Sequence, residues 1–208
     1  MGYEHSMNKQ IIIIGGGETF DTYKDYLNFL KGVKVELSKN RKSGWKQNLQ
    51  KHLGHGCSVY ALSMPSPLNA KYQEWEIYFR KIIPQLEHGC TLIGHSLGGM
   101  FLAKFFSENT LPLTCKSIIM VSAPFGKKKG FADFHIEQSK LSNITHQFEE
   151  TILIHSVNDD IVASDDMIRY RQRIPGSTGY LLADGGHFIF NGKITKLIHI
   201  IKKLYSKK

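Results

Sequence analysis

Hydrophobic and polar positions alternate between two periods along this chain. Ile11–Ile14 is an unbroken β-branched run followed by Gly15-Gly16-Gly17, which predicts a strand buried on both faces of a sheet. Asp21–Leu30 carries Tyr23, Tyr26, Leu27 and Leu30 on one face of a predicted helix. Trp45, Leu49 and Leu53 stand four apart on a second helical stripe, which Gly54 and Gly56 end. Val59–Leu62 predicts the next strand, and Pro65 and Pro67 mark a loop. Asn69 is placed to cap a long helix in which Trp75, Tyr78, Phe79, Ile82 and Ile83 face inward. Strands follow at Thr91–Ile93, Ser117–Val121, Thr151–Val157 and Gly179–Leu182. Between and after them come helices at Met100–Ser107, Asp165–Arg173 and about Ile194–Leu204, the last striped by Leu197, Ile198, Ile201 and Leu204. The longest stretch without a strand pattern is Pro124–Glu150.

Strands alternating with helices predict an α/β fold, a three-layer α/β/α arrangement around a central, mostly parallel sheet. In such sheets, sites form beyond the carboxyl ends of the strands. That rule brings Gly15–Gly17, Ser96, Asp159 and His187 to one rim, since each lies just past a predicted strand. Residues 7–208 read as a single domain. Residues 1–6, ahead of a second methionine, read as a leader foreign to the fold. No repeat or low-complexity segment interrupts the pattern.

A length of 208 residues, 41% hydrophobic and 22% charged, suits one globular core. No apolar run is long enough to span a membrane, and no signal peptide opens the chain. The three cysteines, Cys57, Cys90 and Cys115, are an odd and sparse set that reads as reduced, packed thiols, fitting a cytoplasmic location. A net charge of +9 invites an anionic partner. The charge is scattered, however, over Lys127–Lys129, the stretch from Lys39 to Lys51 and the terminal lysines. Nucleic-acid binding is therefore not expected.

The most informative stretch is Gly94-His95-Ser96-Leu97-Gly98, which lies between a predicted strand and a predicted helix. A chance Gly-x-Ser-x-Gly in a chain of this size is on the order of one in ten. The strand–turn–helix context is what makes it a nucleophile elbow, with the serine lifted on a strained tip and small neighbours admitting close backbone approach. A serine hydroxyl needs a histidine base, and the histidine needs a carboxylate to hold its tautomer. Among ten histidines, His187 is singled out by its place in Asp184-Gly185-Gly186-His187-Phe188, between the last strand and the last helix. Asp159 and Asp160 compete for the carboxylate role after Thr151–Val157, and the spacing to Val162 favours Asp159. Asp165 and Asp166 suit a helix N-terminus, and Asp184 a turn. His95 and His155 read as packed structural histidines. No histidine spacing suits zinc, so neither a metal nor an organic cofactor is expected.

The order Ser96, Asp159, His187 is that of α/β-hydrolases. From about Gln10 to Tyr205 the chain resembles that superfamily, and within it the small, nearly lidless serine hydrolases related to retinoblastoma-binding protein nine. The resemblance rests on the elbow at 94–99, on His155-Ser156-Val157-Asn158-Asp159-Asp160-Ile161-Val162 and on Gly185-Gly186-His187-Phe188. It implies hydrolysis of a carboxylic ester, or a related acyl bond of a small-molecule substrate, through an acyl-enzyme. The amides of Gly17 and Leu97 would then form the oxyanion hole. Acyl transfer or thioester hydrolysis on the same triad is the alternative enzyme, and a non-catalytic binding protein the alternative of another class. Two departures stand out: Gly15 occupies the place where many relatives carry the histidine of a His-Gly pair, and Ala163 a place where proline is frequent. Phe125, Phe131 and Phe134 are candidates either for an acyl pocket or for simple core packing.

Overall fold

A computed structural model describes residues 9–35, 44–126, 129–189 and 195–206 of the chain. Residues 1–6, read above as a leader, part of the basic stretch from Lys39, Lys127 and Lys128, Ile194 and the last two lysines fall outside the described residues, as does the side chain of Leu204. Six strands form one parallel sheet: β1 Lys9–Ile14, β2 Cys57–Leu62, β3 Thr91–His95, β4 Cys115–Val121, β5 Phe148–Ser156 and β6 Thr178–Leu182. Their spatial order is β2-β1-β3-β4-β5-β6. The order reverses beside β1, where Ile14 pairs with Leu62 on one side and Gly94 on the other. In open parallel sheets that reversal leaves a crevice at the strands' carboxyl ends. Here it is flanked by the glycine turn after β1 and the elbow after β3.

Because β1 is paired on both edges and covered on both faces, its isoleucines alternate between two cores. Ile12 and Ile14 join Trp75, Phe79, Leu92, Phe101 and Phe105 on one face. Ile11 and Ile13 join Trp45, Leu49, Ile93, Ile119, Ile154 and Leu197 on the other. The first core is covered by α3 (Tyr72–Ile82), α4 (Leu97–Glu108) and α5 (Asp165–Arg173), the second by α2 (Trp45–Leu53) and α6 (Thr195–Ser206). The three cysteines are free and buried, with Cys90 and Cys115 in Sγ–Sγ contact at 3.4 Å. No described helix is long and apolar enough to cross a membrane.

Several expectations need correction. Asn69 does not cap the long helix. That helix starts at Tyr72, and its first amides, of Tyr72 and Gln73, donate to the carboxylate of Asp133 at 2.8 and 3.3 Å. Asn69 instead closes a turn by donating its amide to Ser66 O. The helix after the elbow begins at Leu97 rather than Met100, directly behind the serine. The stretch without a strand pattern is shorter than 124–150, since β5 already begins at Phe148; before it lie two 3-10 segments, Ala132–Phe134 and Gln138–His146. Finally, α1 (Tyr23–Gly32) forms close to where its apolar stripe predicts, yet buries no residue. Tyr23, Leu27 and Leu30 are exposed, while Phe20 stacks on Tyr26 and Phe29 at 5.6 and 5.1 Å.

Candidate active site

Ser96 sits between β3 and α4 with φ +54° and ψ −125°, a left-handed backbone that a side chain rarely adopts. Holding it costs about 1–3 kcal/mol, which the surrounding packing must overcome. The glycines make the reversal possible. A Cβ on Gly94 would lie 2.5 Å from Gly98 O, and one on Gly98 would strike the carbonyls of Ile14 and Gly15. Helix, strand end and glycine turn therefore meet backbone to backbone. Ser96 N donates to Val121 O at 2.8 Å, pinning the elbow to β4. Gly16 lies so close that a Cβ there would be 3.4 Å from Ser96 Oγ.

Asp159 leaves the carboxyl end of β5, and its side chain is fully buried. Its Oδ2 and Oδ1 lie 2.9 and 3.0 Å from His187 Nδ1. Ser122 Oγ donates to Oδ2 at 2.6 Å, and the amides of Ile161 and Val162 donate to Oδ1 at 3.0 and 2.9 Å. Burial pushes this carboxyl upward. The hydrogen bonds from Ser122, Val162, His187 and Ile161 outweigh it and hold the group below its ordinary range, so it is a carboxylate at neutral pH. Asp160, the competitor, is exposed. His155 is buried beside the pair, donating Nε2–H to Val162 O at 2.9 Å and lying 3.4 Å from Asp159 Oδ2.

The loop carrying His187 is tied down on every side. Gly185 N donates to Ser156 Oγ at 2.7 Å, and Asn158 Oδ1 accepts from the amides of Gly185 and Gly186. The carbonyl of His187 accepts from His95 Nε2–H at 2.8 Å, and that of Phe188 from Trp45 Nε1–H at 2.8 Å. That contact makes His95 the Nε2–H tautomer, and its Nδ1 is buried without a hydrogen-bond partner among the described residues. Burial, helped by the nearby Lys46 ammonium, holds His95 well below its ordinary 6.5 and keeps it neutral. Lys46 is itself pushed down by burial. The rings of His95 and His187 are 5.0 Å apart. The residue before the serine thus holds the loop of the histidine. The network stops short of the serine, for the Ser96 hydroxyl forms no hydrogen bond among the described residues.

Ser96 opens into a cleft of about 270 Å³ lined by Gly17, Glu18, Thr19, Leu97, Phe131 and Ile161–Ala163. As the first residue of α4, Leu97 offers one of the open amides of a helix N-terminus. Of the three phenylalanines, Phe131 lines the cleft. Phe125 packs edge-on against Tyr170 at 4.8 Å, and Phe134 is fully buried among Tyr72 and Trp75. A larger hollow of about 550 Å³ opens at the opposite, amino-terminal end of the strands, near Cys115 and Phe148, far from this chemistry. The sequence assigns no site role to Ser122, Asn158 or Glu18, and reads Trp45 only as part of a helical stripe. Ser122 alone carried a signal, as a small polar residue just past a predicted strand.

A sequence model of the serine hydrolase family matches residues 37–206. No curated protein sequence matches significantly. Among solved structures, the ydeN gene product of B. subtilis superposes with a TM-score of 0.72 at 22% identity, covering 96% of this chain and 100% of that one. The esterase domain of a Rhodothermus marinus protein gives 0.63 at 16% identity, over 98% and 88% of the two chains. Mouse alpha/beta hydrolase domain-containing protein 10 gives 0.55 at 17%, over 95% and 90%. At these identities the likeness is one of fold, and the fold is that of the α/β-hydrolases. With its parallel sheet, its elbow and a family match over most of its length, the chain belongs to the serine hydrolases.

Proposed function

We propose that the protein hydrolyses carboxylic esters, or closely related acyl bonds, through a Ser96–His187–Asp159 triad. The observation that carries this reading is the buried Asp159 carboxylate on His187 Nδ1, on the same rim as a serine held in a strained elbow. With Nδ1–H given to Asp159, the lone pair of Nε2 is left for a proton. Ser96 Oγ attacks the acyl carbonyl as His187 takes its proton. The oxyanion rests on the amides of Leu97 and Gly17. His187 then protonates the leaving alcohol, and water, deprotonated by the same imidazole, releases the acid. The serine–histidine hydrogen bond of this reading forms with bound substrate, as catalytic hydrogen bonds that are long in a free enzyme tighten in its complexes.

The test is a fluorophosphonate probe together with p-nitrophenyl esters of graded chain length. Labelling at Ser96 and loss of about 10⁴-fold or more in kcat for Ser96→Ala are expected. A folded Ser96→Ala protein with undiminished turnover overturns the assignment.

A further inference from the structure

Glu18 follows Gly17 directly and lines the cleft together with Ser96 and Leu97. Its backbone is fixed on both sides: Glu18 N donates to Pro67 O at 2.8 Å, and Ala70 N donates to Glu18 O at 2.7 Å. Thr19 Oγ1 adds a bond to Ala70 O at 2.9 Å. Two residues on, Asp21 accepts from the amides of Gly130 and Ala132, which ties this segment to the one carrying Phe131. The main chain of Glu18 is thus fixed at the cleft, while its exposed carboxyl makes no hydrogen bond or ion pair among the described residues. The other acid at the cleft, Asp166, is occupied by Phe125 N–H and Arg169. Partial burial of the carboxyl raises it above its ordinary value, and its proximity to His187 works in the other direction.

An unpaired carboxylate beside a nucleophile is a bias on substrate choice. A bound neutral substrate strips water from it and returns nothing, and an anionic one adds repulsion. A cation close by offsets the lost hydration. We propose that Glu18 is a specificity-determining residue that selects acyl substrates bearing a positively charged nitrogen near the scissile bond. The inference rests on the hydrolase reading above and narrows its substrate class.

Isosteric esters test it. Acetylcholine and 3,3-dimethylbutyl acetate differ only in the charge on the alcohol side. The p-nitrophenyl esters of 4-trimethylammoniobutyrate and 5,5-dimethylhexanoate place the same difference on the acyl side. In at least one pair, kcat/KM is expected to favour the cation by about tenfold, a ratio that Glu18→Gln brings close to one. Should these esters turn over too slowly, protection of Ser96 from a fluorophosphonate by choline against 3,3-dimethylbutanol reads the same preference. Equal use of both members of each pair, or a ratio unchanged in Glu18→Gln, overturns the role of Glu18 and leaves the hydrolase intact. Absence of both turnover and labelling in the folded wild-type protein overturns the hydrolase reading itself.

Discussion

Residues with left-handed backbone are concentrated at this site. Ser96, Ser122 and Phe188 have φ of +54°, +48° and +52° at the ends of β3 and β4 and beside His187. Strain of this kind persists only where the surroundings over-determine it. Each of the three is fixed by a specific contact. Ser96 N is held by β4, Ser122 donates its amide to Ile154 O and its hydroxyl to Asp159, and the carbonyl of Phe188 is held by Trp45. On the proposed triad, Ser122 is therefore a positioning residue. Ser122→Ala removes one of the donors that keep Asp159 ionised. The carboxyl should rise, and kcat should fall about five- to tenfold, as expected for a charge-assisted hydrogen bond. A pH–rate profile checks it: the acid limb should move to higher pH. An unmoved limb would mean that the remaining donors suffice.

At the level of elements, the cap of α3 shows what local pattern does and does not carry. The apolar spacing of Trp75 and Phe79 predicted that helix and its buried face, and both side chains are fully buried. The N-terminus was misplaced because the capping oxygen comes from Asp133, sixty-one positions from Tyr72. No short-range motif contains such a partner. Asp133→Ala should destabilise the protein by about 1 kcal/mol, the usual worth of a cap, with urea unfolding as the measure. Asn69→Ala should change stability little, since Asn69 Oδ1 is buried without a partner among the described residues. The reverse ranking would show that Asn69 is the cap in solution. In contrast, α1 was legible as a helix but not in its packing. Its stripe of Tyr23, Leu27 and Leu30 specifies an apolar face and says nothing of what, if anything, covers it.

Over the whole molecule, the sheet joins both cores to one polar rim, and acidity acts on that rim through buried groups. His95 is neutral in the folded protein and held far below 6.5. As pH falls below that value, unfolded chains take up a proton that the native state refuses. Stability should therefore decline from about pH 6.5 downward. Asp159, whose carboxyl is depressed, adds a second loss below its ordinary 3.8. His95→Gln retains an N–H for the carbonyl of His187 without the titration, so its urea midpoint should be flatter than the wild type's between pH 6.5 and 5. Equal slopes would place the acid sensitivity elsewhere. The order of strands and helices, the glycine-flanked turn and the placement of Ser96, Asp159 and His187 beyond strand ends were legible in the chain because they are encoded in periods, glycines and positions just past apolar runs. What only the tertiary structure decided is which distant partner each polar group meets. Trp45 reaches the carbonyl of Phe188 across 143 positions, and His95 that of His187 across 92. Such pairs depend on strand register and loop course, which arise from the packing of the whole sheet and leave no mark on neighbouring residues.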